Sequence, residues 1–442
     1  LLLLAYEILT NFHLAEINQR IERRLIALAE QLSNHNLIEE AIETAAIGLA
    51  GNPNNPDLLW IHAVGNYKLG RFADAYPSIT FLTERYPREI HYKKLLILII
   101  EGLNEWEFAL AKRKSIQGSE KSFAFIDQLN QAYCALKAEN PEATLQMCNS
   151  LKNSNHKSVA ETENLAQLLW LAGEAECKNG KISESIEKNK KALELFPSSP
   201  IIWISLANKY KETRNFNTQE QILRRGCQAS PTSPDLNIEM GKLYLQNNQA
   251  SVARTHFQAA KKLLDESKNL PTPDPSHDWD LPIWERPSHY FHLFSNMGHT
   301  LLALGHYKEA RQAFEKAIPR RVKTNEITET TLLGYTKSLV EIGAFETATP
   351  YLEYLAYSAP DNLSASIDLA RVLLLTDASQ EQLDRFVSHH QSIVSRSIND
   401  RSLISISSGS DQESNLQLLE AVTLLAEIFL KCGDFESSNN TY

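Results

Sequence analysis

The chain of 442 residues has little glycine, with 16, only three methionines and only five cysteines. Few glycines and scarce alternation of apolar with polar residues leave small room for β-sheet, so helix is the natural first reading. Cys134, Cys148, Cys177, Cys227 and Cys432 are odd in number, scattered, and set mostly within helical patterns. They read as reduced, buried thiols, and no two have the close spacing a zinc site needs. A basic surplus is also missing. The net charge of −10 argues against general nucleic-acid affinity, because phosphate binding needs a concentrated basic surface. No apolar run approaches a membrane span, since Glu7 interrupts the opening Leu1 to Ala5 well short of one, and short of a signal-peptide core. The expectation is a soluble, cytoplasmic chain with neither membrane nor nucleic acid as partner. There is no initiating Met, and the chain is expected to begin and end inside a longer protein.

Catalytic constellations are lacking too. There is no phosphate-cradling glycine loop, no nucleophile elbow, no HExxH and no paired CxxC, so neither a reaction nor a cofactor is expected. The densest titratable group is His289, His292, His299 and His306, with His277, Asp278 and Asp280 nearby. His292, His299 and His306 would share a helical face only if the helix ran on through Gly305, where a turn is expected. They are read as solvated or groove-lining rather than as metal ligands. Glu239 and Glu341 stand isolated and read as solvated helix faces.

What the chain does have is a helical rhythm that repeats. It is plainest from Tyr290 to Ile318, where two helical patterns meet at Gly305. Gly298 and Ala310 are the small residues at which one helix would press on the other, and Phe294, Leu301, Tyr307 and Phe314 form the apolar stripe between them. Phe294, Gly298, Leu301, Gly305, Tyr307, Ala310, Phe314 and Ala317 follow, in order, the pattern of a tetratricopeptide repeat, which this stretch resembles. The resemblance implies an all-α fold: a right-handed α-solenoid, a superhelix of stacked antiparallel helix pairs lined inside by the first helix of each pair.

Periodicity extends the resemblance along the chain. Ala29, Ala41 and Pro53 recur 34 residues on as Ala63, Ala75 and Pro87, and Gly173, Ala207 and Gly241 keep the same spacing. Between these runs the signature thins but keeps phase, around Ile97, Trp106 and Ala109 and again from about Ala124 to Leu151. About ten repeats and a partial one are expected. Residues 1–21 form a cap or the helix of a preceding repeat, 22–152 the N-terminal repeats and 166–264 the central ones. Residues 265–289 form an inserted loop rich in proline and tryptophan, and 290–394 the C-terminal repeats. A serine-rich polar loop at 395–417 and the start of a truncated repeat at 418–442 complete the chain. Turns are expected at Gly70, Gly180, Gly305 and Gly343, where a left-handed backbone is cheap only without a side chain.

A solenoid of this kind implies binding: a scaffold or adaptor that holds a protein or peptide in its concave groove. The alternative is a regulatory or substrate-recruiting region of a larger multidomain enzyme. The residue after each small packing residue should face the groove. From the middle onward that position holds Asn208, Lys242, His299, Lys337 and Arg371, against Glu30, Val64, Leu98, Ala132 and Glu174 before it. The groove thus turns from mixed or apolar to basic. This implies an acidic linear ligand, steered by Lys242, Lys337 and Arg371, with Lys211 beside them and Asn208 and Asn296 available to bond its backbone. The family's carboxylate clamp is not expected, because Asn208 and Lys242 supply only part of its set. Trp279 and Trp284 in the insertion are too apolar to stand in water; they are expected to cover a seam between repeats, with anchoring of a partner as the other reading.

Overall fold

A computed structural model describes residues 2–117, 125–153, 162–266, 274–286, 291–318, 329–358, 363–376, 378–389, 420, 423–428 and 430–431. The serine-rich segment at 395–417, most of the expected repeat start at 418–442, His289 and the side chain of His292 lie outside this set. Among the described residues there is no strand. Helices follow one another in antiparallel pairs: α1 (Leu2–Asn34) with α2 (Ile38–Gly51), α3 (Pro56–Lys68) with α4 (Phe72–Arg85), α5 (Ile90–Gly102) with α6 (Trp106–Gln117), and α7 (Phe125–Lys137) with α8 (Pro141–Lys152). Next come α9 (Thr162–Lys178) with α10 (Ile182–Leu195), α11 (Pro200–Glu212) with α12 (Phe216–Ala229), and α13 (Pro234–Gln246), followed by α14 (Ala250–Glu266). A short helix α15 (Pro275–Asp278) precedes α16 (Phe291–Ala303), α17 (Tyr307–Ala317), α18 (Glu329–Glu341), α19 (Phe345–Ser358) and α20 (Leu363–Leu375). The architecture is an all-α solenoid of helix pairs.

The chain divides into two compact units. The first comprises Leu1–Met240 and Ala259–His289, and the second Gly241–Gln258 and Tyr290–Tyr442. Within the first, each helix from α1 to α11 packs on the next. The second has a core of its own around Phe314, Leu332, Leu339, Leu352 and Leu369. One boundary differs from the sequence reading. No break falls at 21: α1 runs unbroken from Leu2 to Asn34, and its sequence holds no glycine or proline that would stop it.

Among the described residues, nine turns within pairs place a residue at positive φ. Gly70, Gly180, Gly305 and Gly343 do so at 71° to 79°, as expected of glycine. Asn36, Asn104, Glu139, Arg214 and Asn248 do so at 55° to 63°. The hydrogen bonds are the same in both classes. At Gly70 the N–H donates to the Tyr67 carbonyl at 2.9 Å and the next N–H to Asn66 at 2.8 Å; at Arg214 the equivalent bonds reach Lys211 at 2.9 Å and Tyr210 at 2.8 Å. These bonds close the orphan carbonyls of the first helix, and they force the left-handed backbone whether or not glycine is there.

The pairs close at small residues. A Cβ added to Gly298 would lie 2.6 Å from the Phe314 ring, and one on Gly334 would meet the same ring and approach His299 to 2.7 Å. Phe314, fully buried, is therefore a knob held between glycines of two successive first helices. Gly241 against Phe257 repeats the arrangement at 2.7 Å.

Two substitutions test these constraints. Gly298→Ala gains about 1 kcal/mol of helix propensity, but overpacking a ring that is held on its other side costs about 1–3 kcal/mol, so a net loss is expected. Arg214→Gly should raise stability by roughly 0.5–1 kcal/mol, because a left-handed backbone costs an L-residue about 1–2 kcal/mol and glycine returns part of that in chain entropy. Urea midpoints at unchanged slope should fall for the first variant and rise for the second.

Candidate functional site

The site grows from an imbalance in α5. Its residues Leu95 to Ile100 are all buried, and a helix that is apolar all round must be covered on every side. Its neighbours α4 and α6 cover only part of it. The remaining face, shared with the first helices α3, α7 and α9, is covered by residues 274–286, and α15 lies directly on α5. Trp279 is 9% exposed and belongs to the same core cluster as Leu95, Leu98 and Tyr67, with Val64 packed against it. The apolar positions Val64, Leu98 and Ala132, read from the sequence as an open groove, thus lie in the core of the N-terminal unit: Leu98 and Ala132 are buried and Val64 is half-buried.

Side chains of four successive first helices grip the segment in turn. From α3, the Tyr67 hydroxyl donates to Asp278 Oδ2 at 2.8 Å. From α7, Asn130 brackets Pro282: its Nδ2 donates to the Leu281 carbonyl at 3.1 Å, and its Oδ1 accepts from the Ile283 N–H at 2.9 Å. Asn130 is fully buried, so its amide is spent on backbone recognition. Trp284 lies against Tyr133 of α7 at 5.2 Å and edge-on to Trp170 of α9 at 4.7 Å between centroids. Also from α9, Gln167 Nε2 donates to Glu285 Oε1 at 2.6 Å.

Beneath Trp279 lies a buried charge cluster. Arg113 of α6 stacks its guanidinium 4.4 Å from the Trp279 ring centroid and donates from Nε to Glu101 Oε1 at 2.5 Å. It also bonds Asp127, whose other oxygen accepts from Gln131 at 3.1 Å. Two carboxylates against one guanidinium leave a surplus negative charge. Arg286 of the segment supplies the second cation, donating from Nη1 to Glu101 Oε2 at 2.6 Å. Burial alone would raise the Glu101 pKa, but Arg113 and Arg286 outweigh it and hold the group at about 2. Burial pushes Asp278 and Glu285 up from the ordinary carboxylate range, and pushes the neighbouring Cys134 thiol well up. Several buried polar atoms here have no partner among the described residues: Asp278 Oδ1, Gln167 Oε1, Trp170 Nε1, and Nε and Nη2 of Arg286.

Residues 291–318 match the family described as tetratricopeptide repeat. The same small-residue closure and positive-φ turn recur along the chain. The chain carries a tetratricopeptide repeat at 291–318. No curated protein sequence matches it. Among solved structures it is similar to the APC/C hetero-tetramer Cut9–Hcn1, at 16% identity and TM-score 0.43, over 76% of this chain and 59% of that one. A tetratricopeptide repeat protein from Parabacteroides merdae is similar over 64% of this chain and 99% of its own, at 15% identity and TM-score 0.44. Yeast Tom70 is similar over 93% and 89%, at 17% identity and TM-score 0.32. The chain thus spans 59% of the length of the first of these.

The residues proposed from the sequence for a basic groove fall in both units. Asn208 and Lys211, in the first, are exposed; next to them Lys209 is buried and paired with Glu174. In the second, Lys337 is exposed, and Lys242 and Asn296 are half-buried. His299 stands edge-on to Phe314 at 5.1 Å, and burial lowers its pKa. Arg371 pairs with Asp368 at 3.4 Å and with Glu420. This face carries acid beside its base. Among the described residues no three His, Cys, Asp or Glu side chains are placed to hold a metal, and no helix is long and apolar enough to cross a membrane.

Sequence reasoning missed Glu101, Arg113 and Asn130. The available signals were a carboxylate closing the apolar run Leu95 to Ile100, and an asparagine between Leu129 and Ala132. Glu101→Gln should strand Arg286 and half of Arg113 and cost about 3–5 kcal/mol, as removal of one partner from a buried pair does. A titration has a definite sign. The pKa of Glu101 is depressed, so its contribution is present above the ordinary value of 4.5 and is lost as pH falls toward 2. Asp127, Asp278 and Glu285, raised by burial, act oppositely, favouring the folded form as they protonate. Urea unfolding at stepped pH should show the parent losing stability below about pH 4.5, and the Glu101→Gln variant losing less over the same range.

Proposed function

We propose that this protein is an interaction scaffold that receives peptide segments of partner proteins across the first helices of its repeats. The observation that supports this is the bracketing of Pro282 by Asn130: one buried amide reads both the carbonyl and the N–H of a passing backbone, while flanking aromatic slots take side chains. Backbone bonds hold any sequence and the pockets select among them.

On the C-terminal unit the same reading assigns Asn296 to the backbone, and Lys242 and Lys337 to acidic side chains. Lys211 and Asn208 would serve in the same way in the N-terminal unit. Arg371 is committed to Asp368 and Glu420, so its role is to shape this face. Exposed ion pairs contribute only about 0–1 kcal/mol each, so binding here is weak and salt-sensitive unless apolar anchors add to it.

Selection of a displayed peptide library on the whole chain should enrich acidic peptides. Their affinity should fall at least threefold in Lys242→Glu/Lys337→Glu, with a shallower salt dependence. If no peptide is enriched over a denatured control, the scaffold reading fails; enrichment with affinities unmoved by the double substitution removes the acidic ligand.

A further inference from the structure

The seat of residues 274–286 is better built than a fixed strut requires, and less completely filled. Its polar groups are specific for what lies on them. Asn130 is matched to the backbone on both sides of Pro282, the surplus charge of Glu101 and Asp127 to a cation, and the Tyr133–Trp170 slot to an indole. Yet the occupant leaves buried atoms of Asp278, Gln167, Trp170 and Arg286 unpaired, and each such atom is costly. It also leaves a pocket of 380 Å³ at the α3–α5 end, walled by Trp60, His91 and Lys94 on one side and by Pro275, Trp279 and Asp280 on the other.

We propose that the face of α3, α5, α7 and α9 is a binding site for a partner peptide carrying two tryptophan-class anchors five positions apart around a proline, with an arginine two positions beyond the second. Residues 274–286 are the chain's own competing copy of that ligand. This rests on the scaffold reading above and adds the identity of the ligand. Pro282 fixes the backbone where Asn130 reads it, with φ −54° and ψ 141°, so a ligand with proline there meets the clamp with little ordering cost. The arginine is demanded by charge: without it a buried carboxylate pair faces a single guanidinium. A partner that also places a bulky group before the first anchor fills the 380 Å³ pocket that Pro275 and Ser276 leave open. Such a peptide displaces the tethered segment, whose covalent attachment otherwise gives it the advantage of high local concentration.

A fluorescein-labelled synthetic peptide of residues 274–286 is titrated against the full chain by fluorescence anisotropy. In the parent the tethered copy competes, so binding is weak. In Trp279→Ala/Trp284→Ala the tethered copy loses its anchors while the seat keeps its own residues, and the peptide should bind at least tenfold tighter. Adding Asn130→Ala to that background should cost at least tenfold, and a peptide with both tryptophans replaced by alanine should not bind. The milder Arg286→Ala chain should gain at least threefold.

Equal affinity for parent and double variant overturns the proposal. So does absence of binding to a double variant that still melts cooperatively, or loss of folding in that variant together with no gain in Arg286→Ala; each would make the segment an integral strut. A parent that sediments as a dimer and becomes monomeric on Trp279→Ala/Trp284→Ala would show the segment exchanged between copies, and also overturns it. If the peptide fails while acidic library peptides still bind through Lys242 and Lys337, the scaffold reading stands and only this inference falls.

Discussion

Each helix pair closes only as far as one side chain permits. Where the first helix offers glycine or alanine, an aromatic or branched side chain of the partner can lie against bare backbone, as Phe314 does between Gly298 and Gly334 and Phe257 does at Gly241. Close approach in turn fixes the direction of the first helix, because the turn between partners has only a few residues in which to reverse the chain. The positive-φ residue follows from that short reversal, and so the small residue and the left-handed turn belong to one constraint. A single pair buries too little to stand alone, and the stack supplies the remainder through contact of each helix with the next.

Stacking has a consequence for surfaces. First helices brought side by side present a continuous face, and whatever occupies their outward positions becomes a shared property of several repeats. In the N-terminal unit those positions include Leu98, Val64 and Tyr67, too apolar to face water, and the chain covers them with residues inserted far later in the sequence, Asp278 lying 211 positions after Tyr67. The cover is more than a lid of apolar side chains. It is held by an asparagine on its backbone, by two indoles in separate slots, and by an arginine that completes a buried charge balance.

Much of the fold was legible in the sequence, for a physical reason. Helical period, small residues at fixed intervals and glycine at Gly70, Gly180, Gly305 and Gly343 are local signals that a short window contains. The turns at Asn104, Glu139 and Arg214 escaped notice because these residues take a left-handed backbone under compulsion from the pair, and nothing in their own chemistry announces it. The candidate site was less legible. Trp279 and Trp284 could be recognised as unable to remain in water, but their seats lie on helices far away in sequence. The charge partnership of Glu101, Arg113, Asp127 and Arg286 exists only once three helices and the insertion are assembled. The basic ladder shows the opposite failure: a run of cations at equivalent positions ignored Asp368 and Glu420, which the fold sets beside Arg371, and ignored the packing that claims His299.

Residues 274–286 lie on the first-helix face, and Asn130 holds their backbone. Amide hydrogen exchange at single-residue resolution tests this placement most directly, through the N–H of Ile283, which donates to Asn130 Oδ1 at 2.9 Å. This amide should exchange far more slowly than in a free peptide of the same sequence, and Asn130→Ala should remove the protection there while leaving α5 and α7 protected. Exchange of the Ile283 amide at the free-peptide rate in the parent chain would contradict that placement.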